Sequence, residues 1–207
     1  MNRTFTIIIS LVFISLLFFL SCAPSKLTST WKSDAYTGGP LKNVMIIGLT
    51  ENVQNRKMFE TAFTNIFIKN GVQAIPSYTV IPNIKDVNEE RTVSEAEKKG
   101  INAVFVTHVL GLKAEEVLYE PLDYDPRGEH RPTYGNYIFV AKSYVTSPMK
   151  YTQVDEVQLE SLLFDRESRE MIWSVSSDTY RPDSVREVID RLATNVMKSL
   201  RESQLIK

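Results

Sequence analysis

Lys42-Asn-Val-Met-Ile-Ile-Gly48 is the stretch on which the fold reading turns. Its apolar run is unbroken at strand length, without the polar alternation of a half-exposed strand, so it predicts a strand covered on both faces. Downstream, Phe59, Ala62, Phe63, Ile66 and Phe67 recur at spacings of three and four, which makes one apolar helix stripe. Asn70-Gly71 closes that helix, because glycine tolerates the left-handed cap conformation. Val72-Gln-Ala-Ile-Pro76 reads as a short strand. Thr92-Val-Ser-Glu95 and Ser94-Glu-Ala-Glu97 are overlapping capping boxes ahead of a short helix that ends at Gly100. Asn102 to Leu112 is a second apolar, β-branched strand. The order β-α-β-α-β predicts right-handed crossovers and a largely parallel start.

The second half has a different period. Tyr137 to Val145 alternates as a strand, and so does Tyr151 to Phe164, whose apolar phase slips between Val154 and Val157. A bulge near Asp155-Glu156 accounts for the slip. Leu163 to Ser174 reads as strand, polar turn and strand, with Met171, Trp173 and Val175 on one face. A last helix, capped by Asp183 or Ser184, places Val185, Val188, Ile189, Leu192, Val196 and Leu200 on one stripe. The fold class is therefore α/β: a single mixed sheet in the order β-α-β-α-β-β-β-β-α, with helices packed on it. No internal repeat or second domain boundary interrupts residues 41–207.

Before this domain, Arg3 precedes Phe5–Leu20, sixteen residues free of charge. A bilayer span needs roughly 20 apolar residues, so the run suits a secretory leader better than a transmembrane helix. Ser21-Cys22-Ala23 follows it and resembles the lipobox of bacterial lipoproteins, although Phe19 and Leu20 stand where other residues are commoner. That resemblance implies a signal peptide over 1–21, cleavage before Cys22, and acyl chains, palmitate among them, on its sulfur and amino group. Several acyl chains give firm attachment, at ~0.8 kcal/mol for each buried methylene. An ordinary cleaved leader and an uncleaved anchor are the alternatives. By the sorting rules of enterobacteria, Ala23 implies the outer membrane, with the domain facing the periplasm. Residues 22–40, rich in Ser, Thr, Pro and Gly, read as a lipidated flexible tether whose middle docks on the domain at most through Leu27, Trp31 and Tyr36. Such a tether would hold the body tens of ångströms from the bilayer.

Beside Cys22, the Ser29-Thr-Trp-Lys32 element, the Lys42–Gly48 strand and the Phe164-Asp…Ile172-Trp-Ser174 hairpin resemble small envelope lipoproteins of Gram-negative bacteria. The element order is similar to the amino-terminal domain of the Tol-system propeller protein and to lipoprotein activators of peptidoglycan synthases. The resemblance implies a binding module without catalytic residues, and Cys22 is the one position it transfers.

Composition narrows the chemistry. The chain of 207 residues is 43% apolar and 24% charged, as folded domains are. Its net charge of -1 exerts no general pull on nucleic acid. A single cysteine excludes an internal disulfide framework and a thiolate zinc cluster, and two histidines, His108 and His130, make a poor metal set. The turn Gly48-Leu-Thr-Glu-Asn52 has one glycine and an acid where a phosphate cradle needs several glycines. No Gly-x-Ser-x-Gly elbow is present. His108, inside an apolar strand, reads as a core or sheet-edge histidine with one hydrogen bond. Asp155 and Glu156 point to opposite faces of a strand, while Glu156 and Glu160 share a face about 13 Å apart, too far for a glycosidase pair. No cofactor is expected, and the chain is expected not to be an enzyme.

Residues 115–136 depart from this pattern. Tyr119, Tyr124, Arg127, His130, Arg131 and Tyr134 fall in a connection longer than a hairpin needs. Tyr and Arg are enriched at protein contacts, so these six are the candidate partner-binding residues. A plain strand-to-strand excursion is the other reading. The functional expectation is a membrane-anchored, periplasm-facing binding or adaptor module for a protein or envelope polymer. Its alternatives are an envelope enzyme with a loop-borne site, or an oligomerising structural subunit.

Overall fold

The computed structural model describes residues 25–114, 117–118, 133–135, 137–138 and 154–207. The strands are β1 (Lys26–Lys32), β2 (Asn43–Leu49), β3 (Gln73–Pro76), β4 (Ala103–Ala114), β5 (Val117–Leu118), β6 (Val154–Asp165) and β7 (Met171–Tyr180). The helices are α1 (Val53–Lys69), α2 (Glu89–Lys98) and α3 (Val185–Glu202). One mixed sheet runs β1-β7-β6-β4-β2-β3, with β5 paired to β4. The expected parallel start is present, since β2 pairs parallel with both β3 and β4. The β4–β6, β6–β7 and β1–β7 pairs are antiparallel.

The continuous apolar runs occupy the centre of the sheet. Val44, Met45, Ile46 and Ile47 of β2 are all fully buried, as are Phe105 and Val106 of β4. Period two divides them: Val44, Ile46 and Phe105 join the core under α1 and α3, while Met45, Ile47, Val104 and Val106 join a second core with Ala96 of α2. In the first core, aromatic rings stack from Phe59 to Phe63 at 4.4 Å, on to Phe105 at 5.2 Å and to Trp173 at 6.4 Å. Each buried side chain of this size contributes roughly 1.5–3 kcal/mol.

The caps explain the helix boundaries. Asn52 Oδ1 accepts from the amides of Gln54 and Asn55 at the start of α1. Gly71, with φ 80°, takes the left-handed turn past its end. Ser184 caps α3 by accepting from the Glu187 amide, and Glu187 Oε2 accepts from the Asp183 amide. α2 begins earlier than the capping boxes suggest: Asn88 Oδ1 accepts from the Arg91 amide, leaving Thr92 inside the helix and buried.

Several local expectations are corrected. Residues 26–32, read as part of a flexible tether, form the edge strand β1 on β7. A bulge between Leu27 and Ser29 shifts the phase of that strand, so Leu27 packs on the core under α1 and α3 and Trp31 on the opposite one. Tyr137 and Ile138, expected to open a strand, are helical and buried. Met171 faces away from Trp173 and Val175 because the β6–β7 register slips between Leu163 and Phe164. Val185 is 45% exposed and does not join the α3 stripe. The bulge expected near Asp155 is present: Glu156 pairs with Lys113 and Val154 with Ala114, leaving Asp155 unmatched.

Candidate functional site

Opposite the face covered by α1 and α3, cross-strand register assembles a polar row. Leu49 pairs with His108, His108 with Glu160, Glu160 with Ser176, and Ser176 with Ser29. Residues directly opposite in a ladder share a face, so His108, Glu160, Ser176 and Ser29 lie side by side across β4, β6, β7 and β1. Ser29 Oγ donates to Ser176 Oγ at 3.1 Å. Further along β6, Gln158 Nε2 donates to Glu156 Oε1 at 3.0 Å, and Gln158 pairs in register with Asp178. Glu156 and Glu160 are both buried.

His108 is buried, and its Nδ1 is hydrogen-bonded to the Tyr137 hydroxyl. The two rings meet edge to face at 5.3 Å. Burial pushes the His108 pKa down to about 4, so the imidazole is neutral at pH 7. Its Nε2 has no hydrogen-bond partner among the described residues. Chemically this is a neutral imidazole fixed by a tyrosine in a protein-enclosed site, matching the core-histidine reading.

A second buried cluster is more fully satisfied. Arg56 Nε donates to Glu60 Oε1, Nη1 to the Pro82 carbonyl at 3.0 Å, and Nη2 to Ser77 Oγ at 2.7 Å and the Ile81 carbonyl at 2.9 Å. Glu60 Oε1 also accepts from Ser77 Oγ at 2.8 Å and the Gly48 amide at 3.1 Å, and Oε2 accepts from the Tyr78 amide at 2.8 Å. With donors and acceptors matched in this way, the cluster ties α1 to the end of β2 and to the segment after β3. Sequence reading missed it. The signal was there: opposite charges at i and i+4 within the same stripe as Phe63 and Phe67.

Of the predicted site residues, Cys22, Tyr119, Tyr124, Arg127, His130 and Arg131 lie outside the described residues. Tyr134 is described and is corrected. Its ring is buried edge to face on Phe164 at 5.4 Å, and its hydroxyl donates to Thr92 Oγ1 at 3.0 Å. Burial pushes the phenol pKa well up, so Tyr134 is a neutral core residue and not a contact residue.

Ser25, the first described residue after Cys22, is held by hydrogen bonds to β7 and α3. Ser25 Oγ accepts from Asn195 Nδ2 at 3.0 Å and from Thr179 Oγ1 at 3.3 Å, and the Ser25 carbonyl accepts from Asn195 Nδ2 at 3.3 Å. At the other end of β1, Lys32 Nζ donates to the Ser203 carbonyl beyond α3, at 2.8 Å. That cation sits favourably at the negative end of a helix. Among the described residues, no helix is long and apolar enough to cross a membrane.

No family model matches the chain, and no curated protein matches it. Among solved structures, it is similar to the PelC dodecamer from Paraburkholderia phytofirmans at 13% identity and a TM-score of 0.45, covering 85% of this chain and 96% of that one. A PelC variant dodecamer from the same organism gives 12% identity and a TM-score of 0.44, over 83% and 98% of the two chains. Lipoprotein GNA1162 from Neisseria meningitidis gives 14% identity and a TM-score of 0.39, over 78% and 98%.

Proposed function

We propose that the protein is a lipid-anchored envelope lipoprotein whose α/β domain faces the periplasm and binds a protein or envelope polymer, without catalysing a reaction. The observation that carries this reading is the placement of the chain's single cysteine, Cys22, directly after Ser21 and the uncharged run Phe5–Leu20. Several acyl chains on Cys22 fix the domain at the membrane, the outer one by the sorting rule that Ala23 follows. Its mechanism is recruitment: confinement to one surface raises its effective concentration for partners held there. With the leader and Arg3 removed, the mature domain is slightly acidic, so lipid and not basic charge supplies the attachment.

Cys22→Ser tests the anchor. The variant is expected to leave the membrane fraction with its domain folded, and unchanged membrane association would contradict the reading. Crosslinking in intact cells tests the binding role, comparing the full protein with one lacking 119–131, a deletion that spares the buried Tyr134. Loss of crosslinked partners places binding on that segment. Identical partner sets would remove it as the contact, and no partner in either form would contradict the binding role.

A further inference from the structure

The leash between anchor and domain is short, and this fixes which end of the domain meets lipid. Only Ala23 and Pro24 separate Cys22 from Ser25, whose side chain and carbonyl are held by Thr179 and Asn195. Three Cα steps reach about 11 Å at most. Resting on the Cys22 anchor proposed above, this keeps Ser25 close to the headgroup layer and not tens of ångströms away.

α3 extends past that point. Lys32 meets Ser203 and Ser25 meets Asn195, so α3 runs in the same direction as β1. Its first residue, Val185, is ten residues before Asn195. At 1.5 Å per residue, the start of α3 overhangs Ser25 by up to ~15 Å, more than the leash can span. A leash shorter than the overhang brings the beginning of α3 to the bilayer surface.

The side chains at that end suit lipid. Val185 is 45% exposed, and Tyr180, at the end of β7 just before it, is 43% exposed. Val53, the first residue of α1 after the same end of the sheet, is 60% exposed. A tyrosine and aliphatic side chains exposed at the same end of the sheet match the chemistry of the membrane interface, where an apolar body and a polar tip are both accommodated. The nearby charges are mixed: Arg181 pairs with Asp155 at 3.6 Å and Arg186 with Asp190 at 3.5 Å. The contact therefore rests on the leash and on apolar side chains, not on a basic patch.

We propose that Tyr180, Val185 and the first turn of α3 form a bilayer-contact surface that seats the domain on the headgroup layer of the membrane holding Cys22.

The test uses the full lipidated protein in vesicles of phosphatidylethanolamine and phosphatidylglycerol. A thioether-linked Cys22 is unreactive, and the chain has no other cysteine, so Val185→Cys and Glu167→Cys can each carry one fluorophore. Glu167 lies in the exposed turn between β6 and β7, at the opposite end of the sheet. Headgroup-linked nitroxide is expected to quench the label at 185 several-fold more than that at 167. Ten Gly-Ser residues inserted after Pro24 should abolish this difference while the protein stays on the vesicles. Equal quenching at the two sites with Cys22 acylated, or a difference that survives the insertion, would overturn the inference and leave the anchor intact. Absence of acylation at Cys22 would overturn both.

Discussion

Arg56 Nε lies 2.8 Å from Glu60 Oε1, with the two side chains 3% and 0% exposed, and this ion pair lies inside the apolar stripe of α1. Two charges this far from water persist only because Ser77, Ile81, Pro82, Gly48 and Tyr78 satisfy their remaining donors and acceptors. Removing one partner leaves the other charge buried and unpaired. Arg56→Met or Glu60→Leu alone is expected to cost about 3–5 kcal/mol in urea unfolding. The double variant should cost less than the sum of the two. Additive losses would show that the pair does not act as a unit.

The buried His108 makes stability depend on pH. Its folded pKa is about 4, against an ordinary value of 6.5, because burial disfavours the cation. Between those values the unfolded chain binds the proton and the folded one does not. The contribution is therefore fully present above pH 6.5, is lost as pH falls, and levels off below 4. Its size is of order 3 kcal/mol. His108→Gln should flatten the loss of stability between pH 6.5 and 4, read as denaturation midpoints across that range. An unchanged pH slope would show that His108 is not the group responsible.

Gly48 is held small by Phe59. A Cβ at residue 48 would meet Phe59 Cδ1 at 2.8 Å, and Phe59 is itself packed in the core. Gly48→Ala should destabilise by about 1–3 kcal/mol, as overpacking does. Adding Phe59→Leu should recover part of that loss, since the two positions share the same space. A neutral Gly48→Ala would mean that the ring moves without cost.

The edge strand is structural. A soluble domain beginning at Ser25 should unfold at the same temperature as one beginning at Ala23. One beginning at Ser33 loses β1, the packing of Leu27 and Trp31, and the Lys32–Ser203 hydrogen bond. A loss of about 3 kcal/mol would lower its midpoint by roughly 10 °C. Equal midpoints for all three would return residues 26–32 to the status of a tether.

What could be read in advance follows from where bulges and tertiary partners lie. β2 and β4 were legible because strands buried on both faces must be apolar throughout. The slip between Val154 and Val157 was legible because both sides of it are apolar. β1 was not. Lys-Leu-Thr-Ser-Thr-Trp-Lys presents only two large apolar side chains, and the bulge after Leu27 sends them to opposite faces, erasing the period. Met171 was misplaced for the same reason. The polar row containing His108 and Glu160 depends on the pairing of β4 with β6, which no local pattern encodes. Tyr134 looked like a contact residue because tyrosine is common at contacts, and only its packing on Phe164 reveals a core residue.

The mass of the amino-terminal peptide from detergent-extracted protein tests the central claim most directly. The account predicts a chain that begins at Cys22 and carries acyl chains on that residue. A chain beginning at any other position, or one with an unmodified Cys22, would contradict it.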